Sequence, residues 1–152
     1  MFERAVLVHY HEIGLKGRNR PTFERMLRDN IAASLTDVPT ARVERIQSRV
    51  LVRFENYEQF RDPEDIAEIV ERVAMQPGVA YAASVFITSR VKRDQNRAAL
   101  LALKEAGPAA SFAINARRSN TDHPVSSMDM NIAIGQYVVD ETGLKVDLND
   151  PD

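Results

Sequence analysis

A short hairpin signal in the middle of the chain limits the possible folds more than any other feature. The segments RVERI and RVLVRF are separated by only two residues. In the second segment, Val50, Val52 and Phe54 alternate with Leu51 and Arg53, which is the period of a half-buried strand. Two such segments joined this closely predict antiparallel neighbours in one sheet. The fold must therefore be built around this hairpin.

Each side of the hairpin carries one strand signal and one helix signal. Residues 4–10 form an apolar run that predicts a buried strand, and residues 79–88 predict another. Pro21 predicts the first turn of one helix, and Asp62 followed by Pro63 predicts the start of a second. The resulting order is βαββαβ, the ferredoxin-like pattern, in which two helices cover one face of a four-stranded antiparallel sheet.

A second set of elements follows Arg90. Asp94 is predicted to cap a helix, SFAINA is predicted to be a strand, and Ser126 with Asp129 predicts the start of a helix that ends at Gly143. The segment LKVDL begins another strand. We therefore predict an α+β protein with domains at residues 1–89 and 90–152. Because the sequence stops soon after that strand begins, we expect the second domain to be incomplete at its C-terminus.

Composition excludes several classes of function. The 152 residues are 44% hydrophobic and 28% charged, as in a globular protein, and none is cysteine. Disulfides, thiolate metal sites and thiol nucleophiles are therefore excluded within this sequence. No apolar run approaches the ~20 residues of a membrane span. With no cleavable signal pattern at its start, the chain is predicted to be cytoplasmic and not bound to membranes.

Two histidines near the start were considered as metal ligands. His9 and His11 lie two residues apart, with Glu12 adjacent, and His123 is distant in the sequence. Zinc requires three or four converging ligands. We therefore expect a pair of strand-end histidines and no metal site.

Charge is distributed unevenly along the chain, although the net charge is only -2. The segment 9–28 carries about +3 and the segment 89–120 about +5, whereas the segment 55–72 is acidic. Concentrated positive charge of this kind is typical of surfaces that bind nucleic acid. Ordinary solvated faces would give the same pattern, and that alternative stays open.

Two basic segments have features suited to phosphate. Gly14 and Gly17 let the backbone approach a ligand closely, and the helix that follows offers free N–H groups. The other segment, FAINARRSN, ends a predicted strand, so its adjacent arginines should point to opposite faces, one toward RNA and the other toward Asp122 or Asp147. The residues expected to bind RNA are Lys16, Arg18, Asn19, Arg20, Arg117, Arg118 and Lys145. Weaker candidates are Arg90, Lys92, Arg93, Asn115 and Ser119.

The first basic segment also carries a family resemblance. YHEIGLKGRNRPTFERMLRDNI resembles the N-terminal signature of tRNA 4-thiouridine synthetases, the tRNA sulfurtransferases of the thiamine-biosynthesis family. FAINARRSNTDHPVSSMDMNIAIGQYV and KVDLNDPD are similar to the THUMP domain of the same enzymes. The resemblance implies a ferredoxin-like domain followed by an α/β THUMP domain, which bind the acceptor stem and 3′ CCA end of tRNA for thiolation of uridine 8. His11 stands where the family usually has glycine, and a positive φ there would strain the turn.

The resemblance also implies chemistry that this chain lacks. The family's catalytic domain should carry a Ser-Gly-Gly-x-Asp-Ser loop and a cysteine, and neither occurs here. We therefore predict that the chain alone is not an enzyme and binds no cofactor. ATP and Mg²⁺ are expected only in the catalytic domain. The implied partners are tRNA, a cysteine desulfurase acting on the full-length enzyme, and a second copy in a homodimer of that enzyme.

Two alternatives remain open from the sequence. One is the RNA-binding part of another THUMP enzyme, such as a tRNA methyltransferase or deaminase. The other is a module that binds a protein or a small regulatory molecule, because ferredoxin-like domains serve many unrelated functions. Salt-dependent binding to tRNA would separate the second alternative from the RNA-binding hypotheses.

Overall fold

The computed structural model describes residues 2–11, 19–38, 41–46, 48–54, 60, 62–117 and 125–152. The elements in chain order are β1 (Phe2–Tyr10), α1 (Asn19–Ser34), β2 (Ala41–Ile46), β3 (Arg49–Phe54), α2 (Pro63–Ala74), β4 (Val79–Thr88), α3 (Lys92–Glu105), β5 (Ser111–Phe112), α4 (Ser127–Thr142) and β6 (Lys145–Val146). They form two compact units, the first spanning Glu3–Ile87 and the second built on Thr88–Asp152. The predicted domain boundary between residues 89 and 90 stays a prediction.

The first unit contains the predicted four-stranded sheet. Its strand order is β2-β3-β1-β4, so β3 lies between the two strands that α1 connects. The hairpin is antiparallel with Val43 opposite Val52, and β1 pairs antiparallel to β3 with Val6 opposite the same valine. This is the split βαβ arrangement, and the prediction of a ferredoxin-like α+β fold is confirmed.

The core of the first unit is formed by apolar residues along one side of each helix and by alternate residues of the strands. Alternate residues of β1 and β3 are fully buried, among them Val6, Val8, Val50 and Val52. From α1, Leu27 and Ile31 join the same cluster, and α2 adds Ile66, Ile69 and Val73. Burying each such side chain stabilises the fold by about 1.5–3 kcal/mol. Both helices therefore pack on one face of the sheet, as predicted.

A glycine before β4 lets α1 approach the sheet closely. Gly78 has φ +91, and a Cβ atom there would lie 2.8 Å from Cζ of Phe23. The carbonyl of Gly78 accepts a hydrogen bond from the backbone N–H of His11 at 3.1 Å. Among the residues that the structure describes, the non-glycine residue with positive φ is Ser48. His11, which replaces the family's usual glycine, therefore does not have the strained backbone conformation that a positive φ would impose.

The second unit contains two helices and a two-stranded parallel sheet. Helix α4 packs against α3 and β6, and Phe112 of β5 lies opposite Val146 of β6. The Ser126 side chain accepts the Asp129 N–H at 3.1 Å, and Gly143 ends α4 in the left-handed conformation, as predicted. The fold of this α/β unit agrees with the predicted THUMP architecture.

Two local predictions in the second unit were wrong. Asp94 is not the cap of α3, because the helix begins at Lys92 and the cap position is Val91. The Ser89 hydroxyl donates to the Asp94 carboxylate at 2.7 Å, which is the main cause of that carboxyl's lowered pKa. The strand predicted from SFAINA is only Ser111–Phe112. Beyond it, the N–H of Ala116 donates to the Asn131 side chain at 2.6 Å and not to a neighbouring strand.

Across the described segments, no helix combines the length and the apolar character needed to cross a membrane.

Candidate nucleic-acid interface

The predicted site residues of the first unit lie around the start of α1. Lys16 and Arg18 lie outside the described residues. Asn19 is exposed and is the first residue of α1, which places Pro21 in the first turn of the helix, as predicted. Arg20 follows in the same turn. The N-terminal end of α1 therefore presents the described part of the predicted site.

Arg20 belongs to a cluster centred on the largely buried carboxylate of Glu24, whose side chain is 15% exposed. Nε of Arg20 lies 3.3 Å from Oε1 of Glu24, and the Tyr10 hydroxyl donates to the same oxygen at 2.6 Å. Nη1 of Arg45 lies 3.6 Å from the other carboxylate oxygen and donates to the carbonyl of Pro21 at 3.4 Å. Two guanidinium groups therefore share the Glu24 carboxylate.

The environment of Tyr10 links this cluster to the sheet. Burial, followed by the hydrogen bond to Glu24, raises the pKa of the Tyr10 hydroxyl. Tyr10 is the last residue of β1, and its ring packs edge-on against Phe23 of α1 with centroids 5.7 Å apart. The cluster therefore holds Arg20 and Arg45, whose side chains are 39% and 35% exposed, at the start of α1.

Replacing Glu24 by glutamine should destabilise the first unit. The change leaves two guanidinium groups without their shared counter-ion and weakens hydrogen bonds to a charged group, which we expect to cost about 1.5–3 kcal/mol. Urea unfolding followed by circular dichroism measures the loss. Glu64→Gln, at an exposed position of α2, is the matched control and should change stability by less than about 0.5 kcal/mol. Equal midpoints for the two variants would show that the cluster contributes nothing to folding.

The described site residues of the second unit are exposed and unpaired. Arg117 follows β5, and Lys145 lies on β6. Within the described part of the chain, neither residue forms an ion pair. The Asp147 carboxylate accepts the backbone N–H groups of Asp150 and Asn149, each at 3.0 Å, and these bonds lower its pKa. Asp147 is thus occupied locally and is not a partner of Arg117, while Arg118 and Asp122 lie outside the described residues.

Helix α3 carries a basic stripe to which the sequence reasoning gave too little weight. Arg93, Arg97 and Lys104 are spaced by four and seven residues, which places them on one side of a helix. All three are exposed, and none forms an ion pair with another described residue. Of the three, only Arg93 is among the weaker candidates that the sequence indicates. A predicted helix start at Lys92, in place of the cap at Asp94, would have placed all three residues on one helix and revealed the stripe.

The two histidines considered as metal ligands have other surroundings. The ring of His9 stacks on Tyr81, and His11 is exposed after the end of β1. Searching the described segments for three or more metal-ligating side chains in one place finds no such group.

Two family profiles match the chain, one for each unit. The profile of the ThiI ferredoxin-like domain matches residues 5–83, and the profile of the THUMP domain matches residues 96–152. These matches cover both of the sequence motifs that suggested the resemblance.

Curated relatives match over almost the whole chain. A probable tRNA sulfurtransferase of Clostridium acetobutylicum is 34% identical over 98% of this chain, and one of Moorella thermoacetica is 32% identical over 97%. The chain spans about a third of the length of these relatives, 36% in both cases.

Solved structures agree with the fold. A 4-thiouridine synthetase solved in complex with RNA and ATP superposes with a TM-score of 0.78 at 26% identity, covering 99% of this chain and 36% of that protein. A protein of Pyrococcus horikoshii superposes with a TM-score of 0.77 at 27% identity, covering 97% of this chain and 48% of that protein. The chain therefore belongs to the ThiI family of tRNA sulfurtransferases and corresponds to the family's N-terminal ferredoxin-like and THUMP region.

Proposed function

We propose that this chain is a tRNA-docking region that holds the acceptor stem and the 3′ CCA end for thiolation of uridine 8 by a catalytic domain. The observation that carries the proposal is the set of exposed cations on the THUMP unit that form no ion pair with any described residue: Arg117, Lys145 and the α3 stripe. Cations without counter-ions on one small unit are what a phosphate backbone requires. The RNA bound to the structurally similar 4-thiouridine synthetase supports the same ligand class.

The first unit contributes a weaker and more ordered positive surface. Arg20 and Arg45 are held by Glu24, so their guanidinium groups are already positioned before a ligand arrives. Preorganised donors lose less side-chain entropy on binding. Lys16, Arg18, Asn19 and Arg118 complete the proposed set of RNA contacts, and each unit contacts the RNA backbone.

The chain's chemistry fits a binding role and not a catalytic one. Sulfur transfer through a persulfide needs a cysteine, and the sequence has none. A catalytic domain supplying that cysteine, together with ATP and Mg²⁺, would perform the thiolation, and a cysteine desulfurase would deliver sulfur to it. A homodimer of the full-length enzyme is part of the same proposal.

Binding to tRNA should depend steeply on salt. If Z phosphates are neutralised, log K falls with log salt with a slope of about -0.7Z to -0.9Z, so five contacts predict a slope near -4. Fluorescence anisotropy of labelled tRNA between 50 and 200 mM KCl (roughly the range in which such effects are seen) measures the slope. At any one salt concentration, tRNA without its CCA end should bind more weakly than intact tRNA.

A mixed-sequence DNA duplex is the control for nonspecific charge attraction. Equal affinity for this duplex and for tRNA would reduce the proposal to general polyanion binding. A slope near zero would contradict it and would favour a protein-binding or regulatory module.

A further inference from the structure

The sheet of the first unit has a second face, turned away from α1 and α2. Because Val6 and Val8 point into the core, strand alternation places Leu7 and His9 on the other side. Leu7 lies opposite Leu51 in the register, which brings Arg49 and Arg53 of β3 to the same side. We call this side the second sheet face. The proposed function makes no use of it.

A stacked pair of rings lies on the second sheet face. The rings of His9 on β1 and Tyr81 on β4 have centroids 4.0 Å apart and are inclined by only 17°. Tyr81 is 55% exposed, so much of its surface is open to a ligand. A flat ring held parallel to its neighbour is restricted in rotation, and little additional ordering is needed for another planar group to stack on it.

The electrostatic surroundings of the pair favour an RNA strand. Burial, followed by the positive charge of Arg49, lowers the pKa of His9 and so disfavours its protonated form. Arg49 is anchored at the hairpin turn, where Nη1 donates to the carbonyl of Ser48 at 2.8 Å. Arg53 is paired instead, with Nη2 lying 2.7 Å from the Glu3 carboxylate. Arg49 is thus the cation whose charge acts on His9 of the pair.

The second sheet face offers little apolar area to a protein partner. Leu51, near its centre, is only 8% exposed. Of the exposed large hydrophobic residues among those the structure describes, the ones on these strands are Ile46 and Tyr81. Protein-binding patches are larger and more continuous. An exposed aromatic ring on a sheet that also carries a cation is instead typical of surfaces that bind unpaired nucleobases, and four-stranded sheets of this topology present aromatic residues to RNA in that way.

We propose that the second sheet face binds single-stranded RNA, with a nucleobase stacking on Tyr81 and Arg49 contacting the adjoining phosphate. His9 acts as a positioning residue that holds the Tyr81 ring. This inference rests on the proposed function in one respect, that the ligand is RNA. The residues of the second sheet face are not among those proposed to dock tRNA. Stacking tolerates any base, so the site reads unpaired structure and not sequence.

Replacing Tyr81 by alanine tests the stacking directly. The probe is a fluorescein-labelled single-stranded oligouridine of about ten nucleotides, within the range that single-strand sites cover. Stacking of one base contributes about 1–3 kcal/mol, so the Tyr81→Ala variant should bind this probe about 5- to 150-fold more weakly. Tyr81→Phe keeps the ring and should bind within about twofold of wild type. His9→Ala should weaken binding less than Tyr81→Ala, because it removes only the support of the ring.

Two further measurements separate the site from general charge effects. Arg49→Gln should weaken binding of the probe and flatten its salt slope by about one phosphate contact, whereas Tyr81→Ala should leave the slope unchanged. Binding of a blunt-ended RNA duplex should not change in the Tyr81→Ala variant. Met75→Ala is the control for loss of a large exposed side chain, since Met75 is 83% exposed and follows the last residue of α2, outside the strands of the sheet.

The outcomes distinguish this proposal from the tRNA-docking function. Unchanged oligouridine binding in a folded Tyr81→Ala variant would overturn the stacking proposal. An equal loss of oligouridine affinity in Tyr81→Ala and Tyr81→Phe would also overturn it, because that result would indicate a contact to the tyrosine hydroxyl. Salt-dependent binding of tRNA without any binding of oligouridine would overturn this inference alone. Failure of the docking function would appear separately, as salt-independent binding of tRNA by the wild-type chain.

Discussion

Replacing Ile31 by alanine is expected to lower the free energy of unfolding of the first unit by about 2–5 kcal/mol. The side chain is completely buried and belongs to the main core cluster, which joins residues of the sheet, α1 and α2. Alanine removes the transfer free energy of the lost methyl and methylene groups and leaves a cavity that rigid strands cannot fill by collapsing. A loss of this size is a large fraction of the stability of a small domain.

Tyrosine fluorescence during urea unfolding measures this loss in the first unit. Three of the four tyrosines, Tyr10, Tyr57 and Tyr81, lie within residues 3–87, so the signal reports mainly on that unit. Met26→Ala provides the matched control, because Met26 lies in the same helix but is 55% exposed. If the two variants unfold at the same urea concentration, α1 is not packed as described.

Neutralising Arg117 and Lys145 together is expected to weaken tRNA binding by about 10²- to 10⁴-fold, because each charged contact is worth about 1.5–3 kcal/mol. The salt slope should flatten by about two phosphate contacts. Both side chains are exposed, and within the described segments neither forms an ion pair, so Arg117→Gln with Lys145→Gln should leave folding intact. Fluorescence anisotropy of labelled tRNA at low salt gives the affinity.

A control of equal net charge separates contact from general repulsion. The double variant changes the net charge from -2 to -4, and Ala32→Glu with Ala67→Glu does the same at exposed positions of α1 and α2. We expect the control to lose less than about threefold, as is usual for screened charges away from the interface. Equal losses in the two double variants would argue against direct contacts by Arg117 and Lys145.

The architecture of the first unit was predictable because its signals are local. Alternation in β3, the two-residue turn and the Asp62–Pro63 helix start each depend on neighbouring residues. Their order then leaves few possible topologies. The short strand at Ser111–Phe112 was overpredicted, because Asn131, on a helix much later in the chain, takes the hydrogen bond of Ala116. No local pattern could have shown that competition.

The candidate site was less predictable, because charge patterns do not reveal partners. Arg20 appeared to be an available cation, yet it shares the carboxylate of Glu24 with Arg45 from another strand. The stacking of His9 on Tyr81 depends on β1 and β4 being neighbours in the sheet, which the sequence indicates only through the fold. In contrast, Arg117 is exposed, as its place in a basic, polar stretch of the sequence predicts, although the strand before it ends at Phe112.

The close approach of Phe23 to Gly78 has a consequence for divergence within this lineage. A methyl group at position 78 would occupy space held by the aromatic ring and would also be strained by the backbone angle. A smaller side chain at position 23, one turn from Arg20, would remove the clash but not the backbone strain. Homologues that exchange the glycine should therefore carry a compensating exchange at position 23, which would alter the turn of α1 that carries Arg20.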